Sequence, residues 1–187
     1  MVPVTSLWAP ILLSAVIVFV ASSILHMVLP FHRKDYRKLP DEDGVMAALR
    51  PFAIPPGDYL LPNGGSPGAM KDPAFLDKMN KGPMAMMTVM PSGMPAMVPI
   101  FGLWYVYCAV VSLFAGYVAG ITLPPGTDYM QVFRIVGTVA FVGYSLALWQ
   151  NSIWFKKSWA TTCRSTIDGL VYGLLTAGTF GWLWPKG

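Results

Sequence analysis

Six residues of this chain put chemistry-bearing side chains inside long apolar runs: His26, Arg134, Gln150, Asn151, Asp168 and Tyr172. Ionisable or strongly polar groups are costly at membrane depth, so each is a candidate for function. His26, Gln150, Asn151 and Asp168 fall near the same-side ends of three different runs, where they can converge into one polar site. An imidazole beside a carboxylate can hold or move a proton near neutral pH, which makes His26 and Asp168 the central pair. Tyr172, Thr176 and Thr179 follow Asp168 at helical spacing and form a polar stripe that should face a bundle interior. The competing reading is interhelical hydrogen bonding that only fixes packing, at about 0.6 kcal/mol per bond in membranes. Arg134 stands near the opposite end of its run, where its stem can snorkel to the headgroups.

Other constellations are weaker. Ser22 or Ser23 with His26 and Asp168 has triad composition, but no nucleophile elbow accompanies it. His26, His32 and Asp35 are metal-ligand types, yet their spacing is irregular and Pro30 intervenes. Met84, Met86, Met87, Met90, Met94 and Met97 are six of the twelve methionines, and clustered thioethers select Cu(I). No Cys or His lies among them, so flexible apolar filler or a docking surface is the better reading. Cys108 and Cys163 are too few for a disulfide framework or a four-cysteine zinc site. No catalytic residue, cofactor or metal site is expected.

The elements that position these residues are membrane spans. Of 187 residues, 55% are hydrophobic and 12% charged, and mean hydropathy is +0.53. A soluble domain carries about 25% charged residues. Runs of about 20 apolar residues are long enough to cross a bilayer, and four are found: about Leu7–Leu29, Val98–Thr122, Met130–Phe155 and Thr166–Trp184. The fourth is the shortest and carries Asp168 in its expected first turn. The sequence therefore predicts an all-α integral membrane protein of four transmembrane helices, with a loop-rich cytoplasmic segment between helices 1 and 2. Its parts are 1–30, 31–97 and 98–187.

Orientation follows from Lys and Arg, which favour the cytoplasmic side. Arg33, Lys34, Arg37, Lys38, Arg50, Lys71, Lys78 and Lys81 lie in the 31–97 segment, and Lys156, Lys157 and Arg164 in the loop before the fourth run. The opposite side has Lys186 alone, with Arg134 near it. Both termini are then outside. The first run lacks a basic n-region and is followed by the positive cluster, the charge order of an uncleaved anchor. A net charge of +4 distributed in this way marks orientation, not nucleic-acid binding.

Within 31–97, Asp41 and Asp72 are expected N-caps of two short helices, the second with Pro73 at its first position and Gly82 beyond its end. The stretch "IPPGDYLLPNGGSPG" reads as an extended, turning loop, and the methionine stretch as an interfacial or re-entrant approach to the second span. Two small-residue ridges suit close helix packing: Ser112, Gly116 and Gly120 in the second run, and Ser165, Gly169, Gly173, Ala177 and Gly181 in the fourth.

At "HRKDYRKLPDED", "LWQNSIWF" and "STIDGLVYGLLTAGTFGWLWP" the chain resembles a group of small bacterial integral membrane proteins with no known activity. The resemblance implies a bacterial inner-membrane location and no more. Two functions are expected from the residues themselves: the small-residue ridges, the lack of a catalytic signature and the small cytoplasmic segment favour one, and the polar site the other. The first is an accessory or assembly subunit of a larger membrane complex, with the lipid bilayer and other membrane subunits, or itself, as partners. The second is a small proton-linked transporter or carrier using the polar site.

Overall fold

The computed structural model describes all 187 residues, which divide into two units: Met1–Arg37 with Ala96–Gly187, and Lys38–Pro95. The chain runs through α1 (Trp8–Ser23), α2 (Glu42–Leu49), β1 (Gly57–Leu61), α3 (Pro73–Lys81), β2 (Ala85–Val89), α4 (Met97–Thr122), α5 (Tyr129–Ser145), α6 (Trp149–Phe155) and α7 (Trp159–Leu183).

The first unit is a bundle of α1, α4, α5 and α7, with α6 extending α5. Three helices are long and apolar enough to cross a membrane: Val4–Val28, Met97–Thr122 and Tyr129–Phe155. That length and composition are consistent with a membrane protein. Their outward faces keep large apolar side chains exposed, such as Leu103 and Phe114 of α4 and Val16 and Val20 of α1. α7 is as long, with 25 residues, but falls outside that set. It starts at Trp159, seven residues earlier than the sequence suggests, so Asp168 is well inside the helix, buried, and not in its first turn.

Starts and stops follow local chemistry. α4 begins just after Pro95 and ends before Pro124 and Pro125. Asp128 caps α5, accepting from the N–H groups of Met130 (3.0 Å) and Gln131 (3.2 Å). A 3₁₀ turn at Leu146–Leu148 separates α5 from α6.

Both small-residue ridges are used inside the chain. A Cβ on Gly173 would sit 3.2 Å from Phe141 N and 3.3 Å from Gly137 O, so α5 and α7 touch backbone to backbone. Gly116 admits Phe180 and Leu7, Gly120 admits the carbonyl of Val2, Gly169 admits Ser145, and Gly181 admits Tyr129. Ala177 is fully buried against Gly137. Ser112 is buried and bonded to Ser14 across α1 and α4 (Oγ–Oγ 2.9 Å), while Ser165 is half-buried. The largest fully buried side chains include Phe180, Leu7, Val18, Val132 and Val136.

The second unit departs from the all-α expectation. β1 and β2 pair antiparallel, with Gly57 opposite Val89 and Leu61 opposite Ala85. Thr88 Oγ1 donates to Asp58 Oδ1 across the pair at 2.6 Å. Prolines bracket both segments (Pro56 and Pro62, Pro83 and Pro91), which blocks helix and leaves two short runs free to pair. Part of the methionine stretch is therefore a strand and not a re-entrant segment. The expected caps are made: Gly44 N donates to Asp41 (2.9 Å) and Ala74 N to Asp72 (3.0 Å). No residue from Lys38 to Pro95 is buried, so the unit holds no core.

Candidate functional site

The site is built where α1 ends. Its last turn, Ile24–Val28, opens to π geometry, with Leu29 N donating to Ile24 O at 3.0 Å. Such turns recur at functional sites. Pro30 has no N–H and cannot continue the helix. Leu29 becomes extended, and Pro30–His32 form a 3₁₀ turn that folds the chain back. His32 thereby stacks on His26, ring centroids 4.2 Å apart and planes 5° from parallel.

His32 lies between two carboxylates. Its Nδ1 donates to Asp35 Oδ2 at 2.6 Å. Its Nε2 is 2.9 Å from Asp168 Oδ2, but off the line of a ring N–H, so Nε2 has no aligned hydrogen-bond partner. His26 Nδ1 donates to the Ser22 carbonyl at 3.0 Å, which aims its Nε2 at Asp168 Oδ2, 3.9 Å away. Asp35 Oδ1 accepts from Nε of Arg164 at 2.7 Å and pairs with its Nη2. Arg164 and Asp168 are four residues apart on α7 and share a face. Burial works to raise the Asp35 carboxyl. The hydrogen bonds and charges of His32 and Arg164 outweigh it and hold that carboxyl below the usual carboxylate range.

The Asp168 side chain is 5% exposed, and its Oδ1 has no partner. One turn on, the Tyr172 hydroxyl is also buried and unpartnered. Beside them opens a cavity of about 570 Å³ whose wall includes His26, Leu103, Trp104, Tyr107, Tyr144 and Tyr172. The aromatic rings brace one another, with Tyr144 and Tyr172 5.4 Å apart and Trp104 and Tyr172 6.1 Å apart, both edge-on. Trp104 Nε1 donates to Ser22 Oγ at 2.7 Å, tying α4 to α1 beneath His26.

Electrostatics decide what this arrangement can do. A backbone carbonyl and an ionised carboxylate only accept, so both rings carry their proton on Nδ1. Neutral imidazoles would then leave bare Nε2 atoms beside the Asp168 carboxyl. Two such atoms 2.9 Å apart require a proton on Nε2 or on the Asp168 carboxyl, or a bound cation, between them.

Of the residues expected to converge, the structure brings together His26, Asp168 and Tyr172. Gln150 is exposed and Asn151 half-buried on α6, and neither lines the cavity. The 3₁₀ turn before α6 is overwound relative to an α-helix by about 60° over three residues, which carries these amides off the inward face of α5. Arg134 is exposed toward the other end of α5. The Ser22 and Ser23 hydroxyls donate to Phe19 O, not to His26. His32 and Asp35, discounted as ligands in the sequence because Pro30 intervenes, join the site through the turn at Pro30, and Arg164 joins it from among the charges that mark orientation. The signal that could have found them is the proline immediately after a histidine-bearing helix end. No protein-family model matches the chain, nor does any curated protein or solved structure.

Proposed function

We propose that this chain is a four-span protein of the bacterial inner membrane, with both termini outside, that binds a cation at the cytoplasm-facing end of its bundle. The observation that carries the reading is the convergence of His26 Nε2 and His32 Nε2 on the buried Asp168 carboxyl, 3.9 and 2.9 Å from its Oδ2, with Asp168 Oδ1 left without a partner. A fourth span is supported by α7 itself. At 1.5 Å per residue it is about 37 Å long. Asp168, Tyr172, Thr176 and Thr179 turn inward, while Ile167, Leu170, Leu174 and Trp182 are exposed. A low average hydropathy thus coexists with an apolar outer face. Orientation rests on the Lys and Arg asymmetry.

An accessory or assembly subunit is a second reading. Its small-residue ridges are occupied from within the chain, and its support is the coreless Lys38–Pro95 unit, in which no residue is buried. A carrier reading has one specific support: the buried stripe of Tyr172, Thr176 and Thr179 continues beyond Asp168 toward the other end of α7. Liposome flux that is unchanged in Asp168→Asn excludes the carrier.

Binding itself is tested by thermal unfolding of detergent-purified protein against a series of mono- and divalent cations. A ligand at 100 times its Kd raises stability by about 2.7 kcal/mol. The wild type should show a saturable rise with at least one cation, and Asp168→Asn should lose it. Equal midpoints with and without every cation would contradict the proposal.

A further inference from the structure

We infer that the cation is a divalent first-row transition-metal ion, held by Nε2 of His26, Nε2 of His32 and the carboxylate of Asp168. The inference rests on the cation reading above and gives the ligand its chemical class. The three donor atoms lie within 4.8 Å of one another. Each Nδ1 is spent on an acceptor, Ser22 O for His26 and Asp35 for His32, which leaves each Nε2 as the ring nitrogen available to a metal. Metal-binding histidines are held in this way by an outer carboxylate or carbonyl, which fixes the tautomer and raises ligand basicity. Arg164 in turn anchors Asp35, giving His32 two layers of support.

An independent observation points to a ligand. Asp168 is a carboxylate inside a helix bundle, its side chain 5% exposed, with Oδ1 unpartnered. A group so buried is ordinarily paired or bound to metal. The side chains that face it are the same two imidazoles, whose Nδ1 atoms are engaged elsewhere.

Ligation by both rings requires His26 to turn out of its parallel stack on His32, because the in-plane Nε2 lone pairs of parallel rings do not meet at one point. A tetrahedral centre with bonds of about 2.0–2.2 Å sets its ligand atoms about 3.3 Å apart. The Asp168 Oδ2 separations are 2.9 Å from His32 and 3.9 Å from His26. His26 is the member free to close the gap, since its side chain is 49% exposed. Two imidazole donors disfavour Ca²⁺ and Mg²⁺, which take oxygen, and suit Zn²⁺, Fe²⁺, Ni²⁺ or Cu²⁺. Three protein ligands leave at least one coordination position for water or a second ligand, and the aromatic cavity borders His26 and Asp168 at that point.

The test uses the full chain, purified in detergent, stripped with chelator and titrated with Co²⁺, read by its visible d–d absorption and by displacement with Zn²⁺. One Co²⁺ per chain is expected, with bands of low coordination number that Zn²⁺ abolishes. His32→Ala and Asp168→Asn should abolish the bands, and His26→Gln, at an exposed position, should weaken binding without unfolding the protein. Asp35→Asn keeps all three ligands and should weaken binding by about 10–100-fold, while Gln150→Ala should leave it unchanged. Stoichiometry and affinity that survive both histidine substitutions would overturn the site. Stabilisation through Asp168 by Na⁺ or Mg²⁺ with no Co²⁺ or Zn²⁺ binding would overturn the metal class and leave the cation reading standing. A folded wild type that binds none of these cations would overturn both.

Discussion

The link between Arg164 and Asp35 joins α7 to the turn after α1, across 129 residues of sequence, and its strength can be measured. Breaking one side of a fully buried ion pair costs about 3–5 kcal/mol, whereas exposed pairs are worth about 0–1 kcal/mol. Here the side chains are 21% and 10% exposed, for Arg164 and Asp35 respectively. An intermediate coupling of about 2 kcal/mol is therefore expected. For a chain of this size that corresponds to about 4–8 °C in the unfolding midpoint. The structure supplies its own reporter, because Cys108 is fully buried in α4 and becomes reactive to a fluorogenic thiol probe only on unfolding. Cys163 is exposed and must first be replaced by serine. In that background, Arg164→Met and Asp35→Asn should each lower the midpoint, and the double variant should lower it by about 4–8 °C less than their sum. Strict additivity would refute the claim that this pair holds His32 in place.

Three further outcomes follow from the packing. Gly120→Ala places a Cβ 2.4 Å from the Val2 carbonyl oxygen and should cost about 1–3 kcal/mol, read as a lower midpoint, whereas Gly102→Ala meets nothing within 4 Å and should be neutral or stabilising. Ser14→Ala removes a buried bond to Ser112 and should cost about 0.6 kcal/mol in the same assay. Asp72→Ala removes the cap of α3 at about 1 kcal/mol and should speed amide exchange in Pro73–Lys81, leaving exchange in α4 and α7 unchanged.

The three apolar spans are readable because a bilayer imposes long, uninterrupted hydrophobic runs. α7 is harder to delimit. Thr161, Thr162 and Arg164 make its first turns look like loop, and its inward polar stripe lowers the average that a sliding window sees. Pairing of Gly57–Leu61 with Ala85–Val89 leaves little local trace, since five-residue runs between prolines carry no periodicity to set against a loop. Within the site, His26 and Asp168 stand out because each interrupts an apolar run. His32 and Asp35 are visible as ligand types but are discounted by irregular spacing across Pro30, and Arg164 lies among basic residues whose most visible property is the orientation they set. What assembles them is the chain reversal at Pro30 and the four-residue spacing of Arg164 and Asp168, relations that only folding brings together. The methionine stretch divides in a similar way. Met86 and Met87 sit in a strand opposite Leu60 and Tyr59, and Met94 is almost wholly exposed.

The central claim is that two histidines six residues apart converge with Asp168 on one cation. X-ray absorption at the metal edge of the Zn²⁺-loaded full chain tests it most directly. The account predicts an inner shell of nitrogen and oxygen only, with outer-shell scattering from two imidazoles that falls to one in His26→Gln. A sulfur shell from Cys108 or Cys163, or a spectrum with fewer than two imidazoles in the wild type, would contradict it.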